Sequence, residues 1–203
     1  MEVLLHPSYF PSISHFAVMA QSDKIVFEME DNFQKQTNRN RMYIYSPNGI
    51  QLLNIPIKHS KNNLPQKTKE VQLETAFDWQ KQHFKSLEAA YRNSPFFEFF
   101  EDDIMPIFEK KFTYLMDLNL ETIGIISKCL GMKFEIVKTE EYFQNPIQTD
   151  FRSLVNGKKD TYEFESYPQV FEEKFGHLNN LSILDLLFNE GRHSLTYLKN
   201  QQL

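Results

Sequence analysis

The sequence predicts a mixed α/β protein, from three observations. An apolar strand, a loop, a short helix and a second apolar strand follow one another within the first 31 residues, the minimum for a parallel βαβ unit. Two apolar runs then flank the turn Ser46-Pro47-Asn48-Gly49, where Pro presets one turn dihedral and Asn-Gly tolerates positive φ, so the pair reads as a hairpin. Beyond residue 78 apolar residues recur mainly at helical spacing. The expectation is one domain over residues 1–203. Its strand-rich half (1–75) builds the sheet and its mainly helical half (76–203) covers it.

Taken in order, Val3-Leu4-Leu5 is the first buried strand. Ser12 can cap a helix whose apolar residues Ile13, Phe16, Ala17 and Ala20 recur at i, i+3, i+4 and i+7. Asp23 closes that helix, and Ile25-Val26-Phe27 forms the second strand before Glu28, Glu30 and Asp31. Met42, Ile44, Leu52, Ile55 and Ile57 carry the hairpin, and Pro56 ends its second strand or places it at an edge. Residues 58–68 are polar and read as a mobile surface loop. Lys69 to Leu73 alternates like a further short strand.

A helix is expected from about Asp78 to Asn93, with Trp79, Phe84, Leu87 and Tyr91 as its stripe and Asp78 as N-cap. Pro95 breaks it. Pro106 marks the first turn of another helix, with Ile107, Phe108, Phe112 and Leu115 inward. A third runs from about Leu120 to Leu130, stopped by Gly131 as its C′ residue. Phe134-Glu135-Ile136 reads as a short strand. Residues 139–168 are the least regular part, a long loop with edge pairing, or a loop ordered by a ligand. The last helix begins near Ser182 and ends at Gly191, with Ile183, Leu184, Leu187 and Phe188 as its apolar face. That spacing puts Asp185 at the core boundary, where an acid needs a polar partner; a structural role and a general-base role are both open.

Composition narrows the function classes. The net charge of −5 argues against a nucleic-acid partner, which normally meets a basic excess. The frequent Phe, 19 residues, is core material. The single cysteine, Cys129, lies on an apolar stripe and reads as a buried inert thiol rather than a nucleophile. Residues 1–20 lack the basic and apolar regions of a signal peptide, and no apolar run is long enough to span a membrane, so a cytoplasmic protein is expected. The six histidines form no i, i+4 pair, and no local zinc spacing, Walker loop, GxGxxG or GxSxG is present. The sequence leaves the cofactor unknown.

In a βαβ unit ligands bind at the carboxyl ends of the strands, beside the helix N-terminus. His6, Tyr9, Ser12, Ser14 and His15 fall there. Free N–H groups and a positive dipole suit that position to a phosphate, and His15 could stabilise charge developing on it or, equally, face solvent. The following segment is rich in hydrogen-bonding side chains. Within it Lys35, Asn40 and Arg41 are candidates to approach the same pocket, Arg41 for bidentate capture of a carboxylate or phosphate and Lys35 as a point charge; an exposed connector is the alternative.

Four stretches also resemble the WbqC-like family: His6-Pro7-Ser8-Tyr9-Phe10-Pro11, the acid-rich strand end within Asp23 to Phe33, Asn40-Arg41, and the run from Asn180 to Gly191 that reads Asn-Leu-Ser-Ile-Leu-Asp-Leu-Leu-Phe-Asn-Glu-Gly. The family usually has Gln at the position of His6. It is associated with O-antigen and other surface-polysaccharide gene sets. A second likeness is to pantothenate synthetases and nucleotidyl-transferring α/β folds, which carry His-x-Gly-His after the first strand; here Ser12 and Ser14 replace the first His and the Gly, and His15 remains. Together the resemblances imply an enzyme of surface-polysaccharide or related precursor metabolism. It would transfer an acyl, aminoacyl or nucleotidyl group on a small or nucleotide-linked substrate, with His15 and Asp185 as candidate catalytic residues and His6, Tyr9, Ser12, Lys35, Asn40 and Arg41 binding substrate. The rival is a non-catalytic protein that binds a sugar nucleotide or a protein partner.

Overall fold

The computed structural model describes residues 1–58, 64–134 and 136–203; residues 59–63 of the polar loop expected at 58–68, and Glu135, lie outside them. The βαβ unit forms as expected. Strand β1 (Glu2–Leu5) leads through α1 (Ile13–Ala20) to β2 (Lys24–Phe27), which pairs parallel to β1 with Val3 opposite Ile25 and Leu5 opposite Phe27. Val3, Leu5, Ile25 and Phe27 are each 1% exposed or less, so the strands read as continuous apolar runs because both faces are covered.

The hairpin also forms, from β3 (Arg41–Ser46) and β4 (Gly49–Asn54), with Ser46 opposite Gly49. It does not extend the parallel sheet. It stands as its own two-stranded ribbon and packs against α2 (Trp79–Tyr91) and α6 (Ile183–Glu190). The positions beside β2 and β1 are taken instead by two short strands from the second half of the chain, β5 (Ile136–Lys138) and β6 (Thr149–Asp150), giving an all-parallel order β5-β2-β1-β6. The edge pairing expected in 139–168 is thus β6, which puts Arg152 at the carboxyl end of the sheet.

Helix α3 (Phe97–Glu109) begins well before Pro106, which lies in its interior near the C-terminal end rather than in its first turn. The buried stripe Phe97, Phe100, Ile104, Ile107 and Phe108 holds the helix through the proline, at the loss of one backbone donor. Helix α4 (Leu115–Cys129) starts at Leu115 because Leu115, Met116 and Leu118 are already core residues. Gly131, at φ 69°, follows its end as expected. Residues 68–70 form a 3₁₀ turn, and Gln72 and Leu73 make isolated bridges to Tyr114 and Ile57 rather than a strand. Helix α5 (Glu172–Phe175) is a single turn, and α7 (Ser194–Asn200) packs on α1.

The terminal run folds as its spacing predicts: Ser182 caps α6, accepting from Leu184 N, and Leu184, Leu187 and Phe188 are fully buried. Gly191 has φ 56°, and a Cβ there would lie 2.7 Å from the Phe96 ring, so the chain can turn here only with glycine. The caps of α1 and α6 are lashed together. Ile13 N donates to Leu181 O and Ile183 N to Pro11 O, each within 3.0 Å, and Ser182 Oγ donates to Phe10 O. These bonds bring the ends of the chain to one place. No helix among the described residues is long and apolar enough to cross a membrane.

Candidate functional site

An open polar cleft of about 460 Å³ lies beside the N-terminus of α1. Four segments build it: Ser12 at the helix cap; Gln36 and Asn38 from the connector with Arg41 and Tyr43 of β3; Asn156 to Asp160 beyond β6; and Asn179 and Asn180 before α6. Ser12 and Arg41 are the sequence candidates that line it. Two of the three non-glycine residues with positive φ among those described, Gln36 (61°) and Asn180 (52°), stand in this cleft. Such backbone persists only where surrounding contacts fix it, and it gathers at functional sites.

The cleft's charges are unevenly spent. Among the described residues Arg39, Arg92 and Arg152 pair with carboxylates and Arg192 lies over the Phe99 ring. Arg41 has no such contact, and its Nε is buried without a partner. The N-terminus of α1, by contrast, is already occupied. Ile13 N donates to Leu181 O and Ser14 N to Asn180 Oδ1 at 2.9 Å. Ser14 Oγ donates to Asp160 Oδ2 at 2.5 Å, with Ser12 Oγ 3.4 Å from the same oxygen. Asp160 therefore takes the place an anion would have at this helix, and its Oδ1 is buried and unpartnered.

Deeper in the fold, the carboxyl ends of β1, β2 and β6 hold a buried ionic cluster. Arg39 Nη2 donates to Asp31 Oδ2 at 2.5 Å and to His6 Nε2 at 3.0 Å, and His6 Nδ1 lies 3.5 Å from Asp31 Oδ2. Arg152 joins Glu28 (Nη1–Oε2 3.1 Å) and grips Asp150 through Nε and Nη2 at 2.9 and 2.8 Å. Glu28 is fully buried and Arg39 is 1% exposed, so each charge depends on its partner. Burial, then the Arg39 and Arg152 charges, hold His6 well below the usual histidine range. It is neutral, with Nε2 accepting from Arg39 and Nδ1–H directed toward Asp31.

The remaining candidates are placed as follows. Tyr9 is fully buried; its hydroxyl shares a hydrogen bond with His83 Nδ1 at 3.1 Å, and its ring packs edge-on against Phe10 and Trp79. His15 is 1% exposed, burial lowers it to about 3, and its Nε2 has no partner. Asn40 is buried and ties the two ends of the hairpin, donating to Ile55 O at 2.9 Å. Lys35 is exposed on the connector. Asp185 is fully buried and accepts from Tyr91 (2.8 Å), Tyr167 (2.6 Å) and Gln169 (2.9 Å). Burial raises its carboxyl, against the lowering by those three donors. Burial also pushes the half-buried Cys129 thiol up to about 11, which leaves little thiolate at neutral pH.

The fold thus divides the candidates. Ser12 and Arg41 share the cleft, His6 belongs to the ionic cluster behind it, and Tyr9, Asn40 and Asp185 are each engaged in the core. The sequence reading did not single out Gln36, Asn38, Asn156, Lys158, Asp160 and Asn179 as cleft residues. It also missed the Arg39–Asp31 and Glu28–Arg152 pairs. The only local signal was the density of Asn, Gln and Arg in 34–41, since Glu28 and Arg152 are brought together across 124 residues.

A Mycobacterium tuberculosis protein named as uncharacterized, Rv1507c, is 25% identical over 97% of this chain and 96% of its own length. No solved structure matches the chain. The WbqC-like protein family matches residues 6–158, which include both the ionic cluster and most of the cleft. With that match over three quarters of its length, the chain belongs to the WbqC-like protein family.

Proposed function

We propose that this protein is an enzyme of surface-polysaccharide or related precursor metabolism. It holds a small or nucleotide-linked anionic substrate in the cleft beside α1 and transfers an acyl, aminoacyl or nucleotidyl group. The observation that carries this reading is Arg41: a half-buried guanidinium with no carboxylate partner, on the wall of a polar cleft. A planar guanidinium completes its hydrogen bonding with a phosphate or carboxylate, and Lys158 adds a second positive charge on the same cleft. The family's association with surface-polysaccharide gene sets supplies the metabolic setting.

In this reading Ser12, Arg41 and Lys158 meet the substrate. His6 and Asn40 fix the connector that carries Arg41, and Tyr9 anchors the opening loop in the core. His15 and Asp185 are enclosed, and they maintain the scaffold rather than touch the reacting atoms. That enclosure also favours the second reading, a binding protein without catalysis, because the groups with perturbed acidity are sealed from the cleft.

Nucleotides and sugar nucleotides are tested first by thermal denaturation. A ligand at one hundred times its Kd adds about 2.7 kcal/mol, which is read as a rise in Tm. Arg41→Lys should weaken binding more than it weakens folding, because the fork is lost while the charge remains. Turnover of the stabilising ligand supports the enzyme. Stabilisation without turnover supports the binding protein. Absence of any anion-dependent shift rejects both.

A further inference from the structure

We infer that the cleft is built for a phosphorylated polyhydroxyl ligand, a glycosyl phosphate. Its phosphate would sit on Arg41 and Lys158, and one ring hydroxyl would donate to the free oxygen of Asp160. The inference rests on the anion-binding reading of the cleft and adds to it the chemistry of the neutral part of the ligand.

The carboxamides carry the argument. Gln36 and Asn38 line the cleft with no hydrogen bond from either end of their side chains among the described residues. Asn156 and Asn180 use only their Oδ1 atoms, toward Lys158 N and Ser14 N, and keep their NH2 groups unspent. Four amide side chains with free capacity around one cleft suit a ligand that presents several hydroxyls, each of which both donates and accepts. A simple carboxylic acid or inorganic anion would engage few of them and leave the rest to water.

Asp160 adds an acceptor of fixed orientation. Its Oδ2 is held by Ser14 and Ser12, while Oδ1 is buried and empty-handed. A carboxylate beside an anion seat repels a second anion, so the group that meets it must be a donor, and a hydroxyl fits. Tyr43 and Ile50 supply the apolar part of the lining, against which the C–H face of a sugar ring can rest.

Calorimetric titration of the full-length protein tests this with hexose 1-phosphates. Inorganic phosphate, the free hexoses and nucleoside monophosphates serve as comparisons. At least one hexose 1-phosphate should bind tenfold or more tightly than inorganic phosphate and than every nucleoside monophosphate. Asp160→Asn and Asn38→Leu should each remove most of that advantage; inorganic phosphate should bind no more weakly to either variant, and more tightly to Asp160→Asn because the repelling charge is gone, while Arg41→Gln lowers both. Equal affinity for the sugar phosphate and for phosphate overturns the glycosyl assignment, as does preference for a nucleoside monophosphate or an Asp160→Asn protein that behaves like the parent. In those cases phosphate binding that Arg41→Gln abolishes leaves the anion cleft standing. Failure of every phosphate compound to bind overturns both.

Discussion

Arg39 donates to His6 Nε2 at 3.0 Å while the opposite ring nitrogen of His6 faces Asp31 at 3.5 Å. His6 therefore stands as a neutral group between a buried cation and its buried acid: one face accepts from Arg39 and the other is turned toward Asp31. A glutamine amide offers the same pair of groups, an oxygen and an N–H, on opposite sides of one carbon. By this chemistry a Gln at position 6 can occupy the place of His6 in the cluster.

The first prediction follows directly. His6→Gln should retain stability within about 1 kcal/mol, because an amide oxygen can remake the hydrogen bond from Arg39 while its NH2 faces Asp31. His6→Leu should cost about 2–4 kcal/mol, because it strips a partner from buried Arg39 and Asp31. Urea unfolding of the two variants separates these outcomes, and equal losses would show that the bridge is not what position 6 supplies.

Acid should weaken the fold early. His6, His15 and His83 are all buried, and burial lowers each, His15 to about 3 and His83 to about 4. In the unfolded chain each titrates near 6.5. Between that value and the folded one the unfolded state binds more protons, so stability is whole above pH 6.5 and falls as pH drops below it. The expected slope is about 1.4 kcal/mol per pH unit for each histidine. Denaturant midpoints from pH 7.5 to 5 measure it, and His15→Asn should flatten the curve by one histidine's share. Asp185 works in the opposite sense, since its carboxyl is raised.

Arg152 and Glu28 should show strong coupling. Arg152→Met leaves the fully buried Glu28 carboxylate without its cation and releases Asp150, at a cost of about 3–5 kcal/mol. Glu28→Gln in the Arg152→Met background should recover part of that loss, since the unpaired charge is gone. A double-mutant cycle by chemical denaturation reads the coupling, and simple additivity would mean that the pair contributes nothing jointly.

Asp185→Asn should destabilise by about 1–3 kcal/mol, because a carboxamide cannot accept from Tyr91, Tyr167 and Gln169 as a carboxylate does. Ligand affinity per folded molecule should stay unchanged. The reverse result, with stability intact and ligand or turnover lost, would move Asp185 from the scaffold to the chemistry.

Local signals in the sequence settled the parts of the fold that local physics controls. The βαβ opening, the Pro-Asn-Gly hairpin and the Gly131 stop each follow from spacing and backbone preference within about thirty residues. So did the buried face of α6 and the need of Asp185 for a partner. What failed locally was whatever lacked a period. A two-residue strand such as β6 has no alternation to detect, and Pro106 carries the local signature of a first helical turn although α3 begins nine residues earlier, at Phe97, and is held through the proline by packing. Tertiary structure alone decided the rest. It placed β5 and β6, rather than the hairpin, beside β2 and β1. It joined Arg152 to Glu28 across 124 residues and Ser14 to Asp160 across 146. It also left Arg41 unpaired while giving Arg39, two positions away, a buried acid. Sequence spacing reports which way a side chain points from its own helix or strand. Which distant charge it meets there, or whether it meets none, is set by how the elements pack.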